Sequence, residues 1–423
     1  MEEHMKRDTP CPDQQLPGNH APAPLIPAIP GHENQVMRKR FRPEQVQEKQ
    51  ESGRPGREMA ASAKTVVITR HSWRHPPFRR GDRSLGSLKA LTAAMVLAIA
   101  ALLASCGNNR LKVDISGIRD EVSFVRYDEE LFSLSPDPSL DELLLLRSKY
   151  PAFTDLYTHL VLRVGSVTDS AGQESLREFL GDTTTLNVRK MTQREFPSQM
   201  LPEKDIVTAF KHYRYYFPEK PLPVIYFCQS GFNESVFTAD SIVGISLDKY
   251  LGADCYYYDL LDFPQFRQRK MIPGMIPSDV MYTWGMTEFP IYEEAATLLD
   301  HMIYEGKLLY FTEAMLPRTA DSLRTGYSKK QLEWCRINEA TMWNYLVEHQ
   351  LLFSTRQMDI VRYINDGPTT NGFPAESPAR TGAWLGRQIV RAYMKKNPEV
   401  TLPLLMANKD NRGILNHSAY APQ

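Results

Sequence analysis

The chain has 423 residues, with 50 Lys and Arg against 50 Asp and Glu and a formal net charge of zero. The balance is uneven, because residues 1–105 hold sixteen basic and ten acidic residues and leave thirty-four against forty beyond them. The longer part is therefore mildly acidic, which argues against a nucleic-acid partner that would need a clustered basic surface.

Residues 1–80 are rich in Pro, Arg, Gln and Glu without a sustained apolar period, which predicts a disordered segment. Residues 81–105 read as a signal peptide. A basic patch (Arg79, Arg80, Arg83, Lys89) precedes fourteen uncharged, mostly apolar residues that end at Leu103 and are followed by Ala104-Ser105-Cys106. That run is too short to span a bilayer comfortably. With Leu, Ala and Ser before the cysteine it resembles a bacterial lipobox, in which the thiol of Cys106 takes a diacylglycerol and the preceding peptide bond is cut. An ordinary signal peptide with a chance cysteine is the alternative. Signal peptides span about 15–30 residues, so translation is expected to start at Met59 or at an unusual codon near Leu85, and residues 1–105 to be absent from the mature protein; a cytoplasmic tail on an uncleaved anchor is the other possibility. Gly107 is not the aspartate of inner-membrane retention, so the expected location is the periplasmic face of the outer membrane.

Residues 106–120, opening with Gly107-Asn108-Asn109-Arg110, read as a tether, and residues 121–423 as a single domain. Val122 begins a strand-like piece that runs into Tyr127-Asp128-Glu129-Glu130-Leu131-Phe132. Ser139 and Glu142 form a capping box that opens a helix to Lys149, and helices are expected over Phe153–Val164 and Glu203–Phe217. Val224–Cys228 and Ile242–Leu247 are β-branched and aromatic runs separated by turn residues, hence a small sheet. From Asp254 to Thr287 the sequence is aromatic and broken by proline, which predicts a long irregular connection. Three helices are then expected, over Ile291–Leu316, from the capping box of Ser328 and Gln331 to about Gln350, and over Pro378–Lys396, with a short one at Leu402–Met406. Many helices with one small sheet make the fold α+β. Cys228, Cys255 and Cys335 are an odd trio and predict buried thiols or at most one bridge.

Glu305 falls on the apolar face that carries Met302 and Leu309, and a carboxylate there must be paired, protonated or bound to a metal. Gly382 and Gly386 lie one turn apart on the last long helix, so a partner backbone can approach closely. The face around Met302, Glu305 and Gly306 is the expected partner, with Arg387 or Arg391 neutralising Glu305. His301 and Glu305 are one turn apart, but the five histidines His159, His212, His301, His349 and His417 include no pair at His-Glu-x-x-His spacing, and Cys-x-x-Cys is absent too. Gly244-Ile245-Ser246-Leu247-Asp248 lacks the last glycine of a nucleophile elbow. Neither a phosphate loop nor a dinucleotide fingerprint is present. No metal or cofactor is expected.

The lipobox, Phe124–Phe132, Leu247-Asp248-Lys249-Tyr250-Leu251-Gly252, Glu305-Gly306-Lys307-Leu308-Leu309-Tyr310-Phe311 and Ser377–Met394 together resemble the gliding-motility lipoprotein GldB family of Bacteroidetes, over essentially all of the chain past Cys106. Ala379 departs from the glycine of the family's Ser-Pro-Gly-Arg pattern. The family is in turn similar to predicted zinc-dependent proteases with His-Glu-x-x-His on one helix and a third ligand in a Glu-Gly segment on the next. Thr297-Leu298-Leu299-Asp300 and Glu305-Gly306 match the second helix, and the first motif is missing. The resemblance implies a zincin-like scaffold without metal or general base, in which Glu305 is a relic position. It further implies a lipid-anchored, non-catalytic envelope protein that supports gliding motility or its associated secretion machinery and binds the membrane and other envelope proteins. A zinc-dependent envelope hydrolase with a degenerate metal site is the alternative, and a glycan-binding module using Tyr256–Trp284 a third reading.

Overall fold

A computed structural model describes residues 110–119, 121–291 and 296–422. The expected disordered segment, signal peptide and Cys106 lie outside the described residues. Four short strands form one sheet: β1 (Ser123–Arg126), β2 (Val224–Cys228), β3 (Val236–Ala239) and β4 (Ile242–Ser246), in the order β1-β2-β4-β3. The first three in that order are parallel, and β3 returns antiparallel at the edge. Side chains alternate across the sheet, so Ile225, Phe227, Val243 and Ile245 enter the main core. Tyr226, Cys228 and Phe237 enter a second core on the other face. Burial on both faces is why these strands read as almost continuous apolar runs.

The connection from β1 to β2 carries six helices: α1 (Tyr127–Phe132), α2 (Leu140–Lys149), α3 (Pro151–Leu156), α4 (Ser170–Gly181), α5 (Thr183–Glu195) and α6 (Glu203–Tyr216). The first four supply the second core, where Tyr127 meets Phe153 and Tyr157 edge-on at 4.7 and 5.2 Å between centroids. The capping box of Ser139 and Glu142 opens α2 as expected. The helix expected over Phe153–Val164 instead ends at Leu156 and passes into a π turn, Tyr157–Val161. Tyr157 is fully buried there and its hydroxyl donates to the carbonyl oxygen of Gln229 at 2.5 Å.

The irregular connection expected over Asp254–Thr287 is instead largely helical: α7 (Tyr256–Leu260), α8 (Gln265–Gln268) and α9 (Ile276–Glu288). Helix α9 buries Ile276, Val280, Met281 and Trp284 between the sheet and other helices. A helix covered on all sides, with its few polar residues turned inward, shows no amphipathic period in its sequence. Then follow α10 (Leu298–Met315), α11 (Asp321–Thr325), α12 (Lys329–Ile337), α13 (Glu339–Glu348), α14 (Gln357–Ile364), α15 (Thr381–Lys396), α16 (Leu402–Ala407) and α17 (Asn411–Ser418). Helix α10 starts later than the expected Ile291, on a capping box of Thr297 and Asp300, and α15 starts at Thr381 because Arg380 sits in the left-handed region at φ 59°. The single helix expected from Ser328 to Gln350 is two, since the Asn338 side chain donates to the carbonyl oxygen of Trp334 at 2.8 Å and competes with the helical ladder.

The tether expected over residues 106–120 does not include Arg110 and Leu111. Arg110 donates to the carbonyl oxygens of Met394 and Val400, each at 2.7 Å, and Leu111 is buried in the main core. The three interior cysteines are free and buried. No helix among the described residues is long and apolar enough to cross a membrane.

Candidate functional site

The site is built on the contact between α10 and α15. A Cβ on Gly386 would collide with the carbonyl of Met302, and one on Gly306 with the carbonyl of Gly386. The two backbones therefore touch through paired glycines, as the sequence suggested. Gly382 faces elsewhere: its Cβ would meet the Tyr363 carbonyl oxygen of α14 at 2.9 Å.

This approach buries Glu305, but not against the arginines first expected. Its Oε2 accepts from Arg380 at 3.2 Å, and the Tyr282 hydroxyl on α9 lies 2.8 Å from both carboxylate oxygens. Arg380 also stands 5.9 Å from the centre of the Tyr282 ring. Burial alone would lower the pKa of Arg380, but Tyr282 and Glu305 beside it win and hold the guanidinium charged, above its ordinary value. Burial, followed by the Glu305 charge, pushes the Tyr282 phenol well up, so it stays a donor.

Arg387 and Arg391 point the other way along α15. Arg387, fully buried, donates to Asp321 Oδ1 at 2.7 Å and Glu313 Oε2 at 3.2 Å, and Arg391 donates to the same Glu313 oxygen at 2.7 Å. Arg324 of α11 joins Asp321 at 2.6 Å. Burial raises the pKa of Asp321, but its bond to Arg387 and the three nearby guanidinium charges more than offset this and bring it down to about 2. The pairing expected between these arginines and Glu305 is thus corrected. They lie further along α15, beside the far end of α10, whereas Arg380 at its N-terminus sits opposite Glu305.

Next to Glu305 lies a cavity of about 270 Å³ beyond the end of β4. Tyr250, four residues past that strand, donates to Asp279 Oδ2 at 2.8 Å. Burial pushes Asp279 up to about 6, tempered by that bond and by the charges of Lys270 and Arg380. A carboxyl displaced this far in a cleft is a recognised mark of a functional site. The sequence reading missed Asp279 and Tyr282 because both ride on α9; once that helix is drawn, their spacing of three residues places them on one face. His301 is half-buried on α10, and the described residues contain no group of three or more His, Cys, Asp or Glu that could hold a metal.

A family model described as gliding motility protein GldB matches residues 108–422. The chain belongs to the GldB family. No curated protein and no solved structure matches it. Three GldB-like stretches noted in the sequence converge on this one place: Leu247–Gly252 supplies Tyr250, Glu305–Phe311 supplies Glu305, and Ser377–Met394 supplies Arg380. The same first stretch also supports the sheet's end. Asp248, wholly buried, accepts from the backbone N–H groups of Phe232 and Ser230 at 2.7 and 3.1 Å and so fixes the loop after β2.

Proposed function

We propose that this member of the GldB family is a lipid-anchored, non-catalytic component of the cell envelope that supports gliding motility or its associated secretion machinery. A gliding-motility role follows from the family. The non-catalytic reading rests on one geometric observation. The Tyr282 hydroxyl is equidistant from the two oxygens of Glu305, so it occupies the bisector on which a bidentate zinc ion would lie, at about 2.0–2.2 Å from oxygen. Arg380 supplies the positive charge that a metal would otherwise bring. Among the described residues no group of three or more His, Cys, Asp or Glu is assembled around Glu305, so those residues do not fit a catalytic zinc. The zincin-like ancestry of the scaffold belongs to the same proposal, with α9 and α10 as the relic helix pair.

The lipid anchor is assigned to Cys106. The family match begins just past it, which supports the reading of residues 81–105 as a leader. Partners are then the membrane, through the lipid, and other envelope proteins, with no nucleic acid involved. Mass spectrometry of the native N-terminus tests the anchor: a diacylated Cys106 is expected, and a Cys106→Ala variant should fail to restore gliding to a deletion strain. An unmodified Cys106 or peptides from residues 1–60 in the envelope protein would overturn it.

A further inference from the structure

The chain enters the folded domain at a fixed point. The Arg110 guanidinium donates to the carbonyl oxygens of Met394 and Val400 at 2.7 Å each and to that of Pro398 at 3.2 Å. Carbonyls in the last turn of a helix have no partner within it and carry the negative end of its dipole, so the end of α15 retains this cation. Leu111, the next residue, is buried in the main core. The entry point therefore has no slack of its own. Cys106 precedes Arg110 by four residues, and four residues span at most about 14 Å when fully extended. A domain of roughly 310 residues has a radius of gyration of about 20 Å, so the connection to a lipid on Cys106 is shorter than the domain is wide. The surface around Arg110 must then lie close to the bilayer that holds the lipid.

What this surface displays suits that neighbour. Lys112 is exposed two residues from Arg110, and Lys395 and Lys396 are exposed in the last turn of α15, directly after the Met394 carbonyl that Arg110 holds. Leu404 of α16, 58% exposed, follows Val400 by four residues. Asp114 and Glu399 are exposed among them, which leaves three lysines against two carboxylates. Beyond residue 105 the chain has thirty-four basic and forty acidic residues, so a basic excess here runs against its overall charge. A lysine close to an anionic lipid surface favours binding by about fivefold, and an exposed leucine gains by entering the boundary between headgroups and acyl chains. A larger apolar patch lies elsewhere: Leu140, Leu144 and Leu145 are exposed on α2, a helix of the second core, across the sheet from the main core that holds Leu111. Hydrophobicity alone would choose α2, whereas chain length and charge choose the end of α15.

We propose that the surface formed by Arg110–Lys112, the end of α15 and α16 rests on an anionic phospholipid bilayer, with Lys395 and Lys396 on lipid phosphates and Leu404 at the headgroup boundary. The lipid, the Arg110 clamp and the lysines together hold the domain in one orientation, with the exposed leucines of α2 off the membrane. This inference rests on the assignment of the lipid to Cys106 in the reading above.

Protein purified from the native envelope and reconstituted into vesicles of phosphatidylethanolamine and phosphatidylglycerol tests it. The variants Lys396→Cys, Leu404→Cys and Leu145→Cys each carry a fluorophore on the new thiol, and a fraction of the lipid headgroups carries a nitroxide quencher. The protein without an added cysteine, whose interior thiols are buried, gives the background. Quenching at positions 396 and 404 should exceed that at 145 by about threefold or more, because the sites then differ in height above the lipid by a large part of the domain's width. Lys395→Glu with Lys396→Glu, combined with Leu404→Cys, should lower quenching at 404 by about half or more, with a melting temperature that shows the variant folded. Equal quenching at all three sites, stronger quenching at 145, or no change in the folded charge-reversed variant would each overturn the orientation. Mass spectrometry of the same sample separates the two readings. Acylated Cys106 with equal quenching would refute the orientation alone, unmodified Cys106 with quenching confined to 396 and 404 would refute the lipid assignment alone, and unmodified Cys106 without that contrast would refute both.

Discussion

Replacing Asp279 by Asn should make the protein more stable at pH 8 and leave it nearly unchanged at pH 4. In the folded chain the Asp279 carboxyl is pushed from its ordinary 3.8 to about 6 by burial. Between about pH 4 and pH 6 the folded protein therefore keeps a proton that the unfolded chain has lost. Stability from this group is full at low pH and falls as the pH rises through that window. A displacement of this size corresponds to roughly 3 kcal/mol at 1.36 kcal/mol per pH unit. Asp279 edges the cavity and is partly solvated, so roughly 1–2 kcal/mol is the expected loss. The asparagine amide oxygen can still accept from Tyr250, and its lack of charge removes the penalty. Urea midpoints of both proteins from pH 4 to pH 8 give the difference curve, in which Lys270, Arg380, Asp366 and every other titrating group cancels to first order. A flat difference, or a variant less stable at pH 8 by more than about 1 kcal/mol, would show that Lys270 and Arg380 outweigh burial at this site.

Other perturbations probe the helix contact and its charges. A double-mutant cycle should show coupling of about 1–3 kcal/mol between Glu305 and Arg380 and near-additivity between Glu305 and Arg387; coupling to Arg387 instead would contradict the geometry. Chemical denaturation should place Glu305→Gln closer to the parent than Glu305→Ala, because the amide still accepts from Tyr282. Gly386→Ala, whose Cβ meets the Met302 backbone, should cost about 1–3 kcal/mol, and a melting temperature equal to the parent's would mean that α10 and α15 stand further apart. Arg387→Met should cost about 3–5 kcal/mol in chemical denaturation by stripping a partner from Glu313 and Asp321.

How far the sequence could be read depended on whether a signal was local. Strands β2 and β4, the capping boxes at Ser139 and Ser328, and the glycine pairing of α15 with α10 all announce themselves within a few residues. Burial of Glu305 followed from the helical period around Met302 and Leu309. Its partners did not, because which of several arginines reaches a carboxylate depends on the offset of two helices along their contact. Arg380 lay inside a noted stretch but ahead of the expected run of contacts, in a left-handed conformation that no pattern of side chains predicts. Helix α9 was lost for the opposite reason: packed between the sheet and α10, it has no exposed face, Pro277 sits in its first turn and Gly285 leaves room for Phe311. With it went Tyr282 and Asp279, and so the cleft.

The most direct test of the central claim is metal analysis of the protein purified from the native envelope without chelators, before and after exposure to excess zinc. With Tyr282 and Arg380 bound to Glu305, zinc should stay far below stoichiometric in both samples. An Arg380→Gln variant, which frees part of the carboxylate but adds no second or third ligand, should not change that result. Stoichiometric zinc in the native protein, lost in Glu305→Gln, would contradict the account and return the protein to the metal-dependent hydrolases.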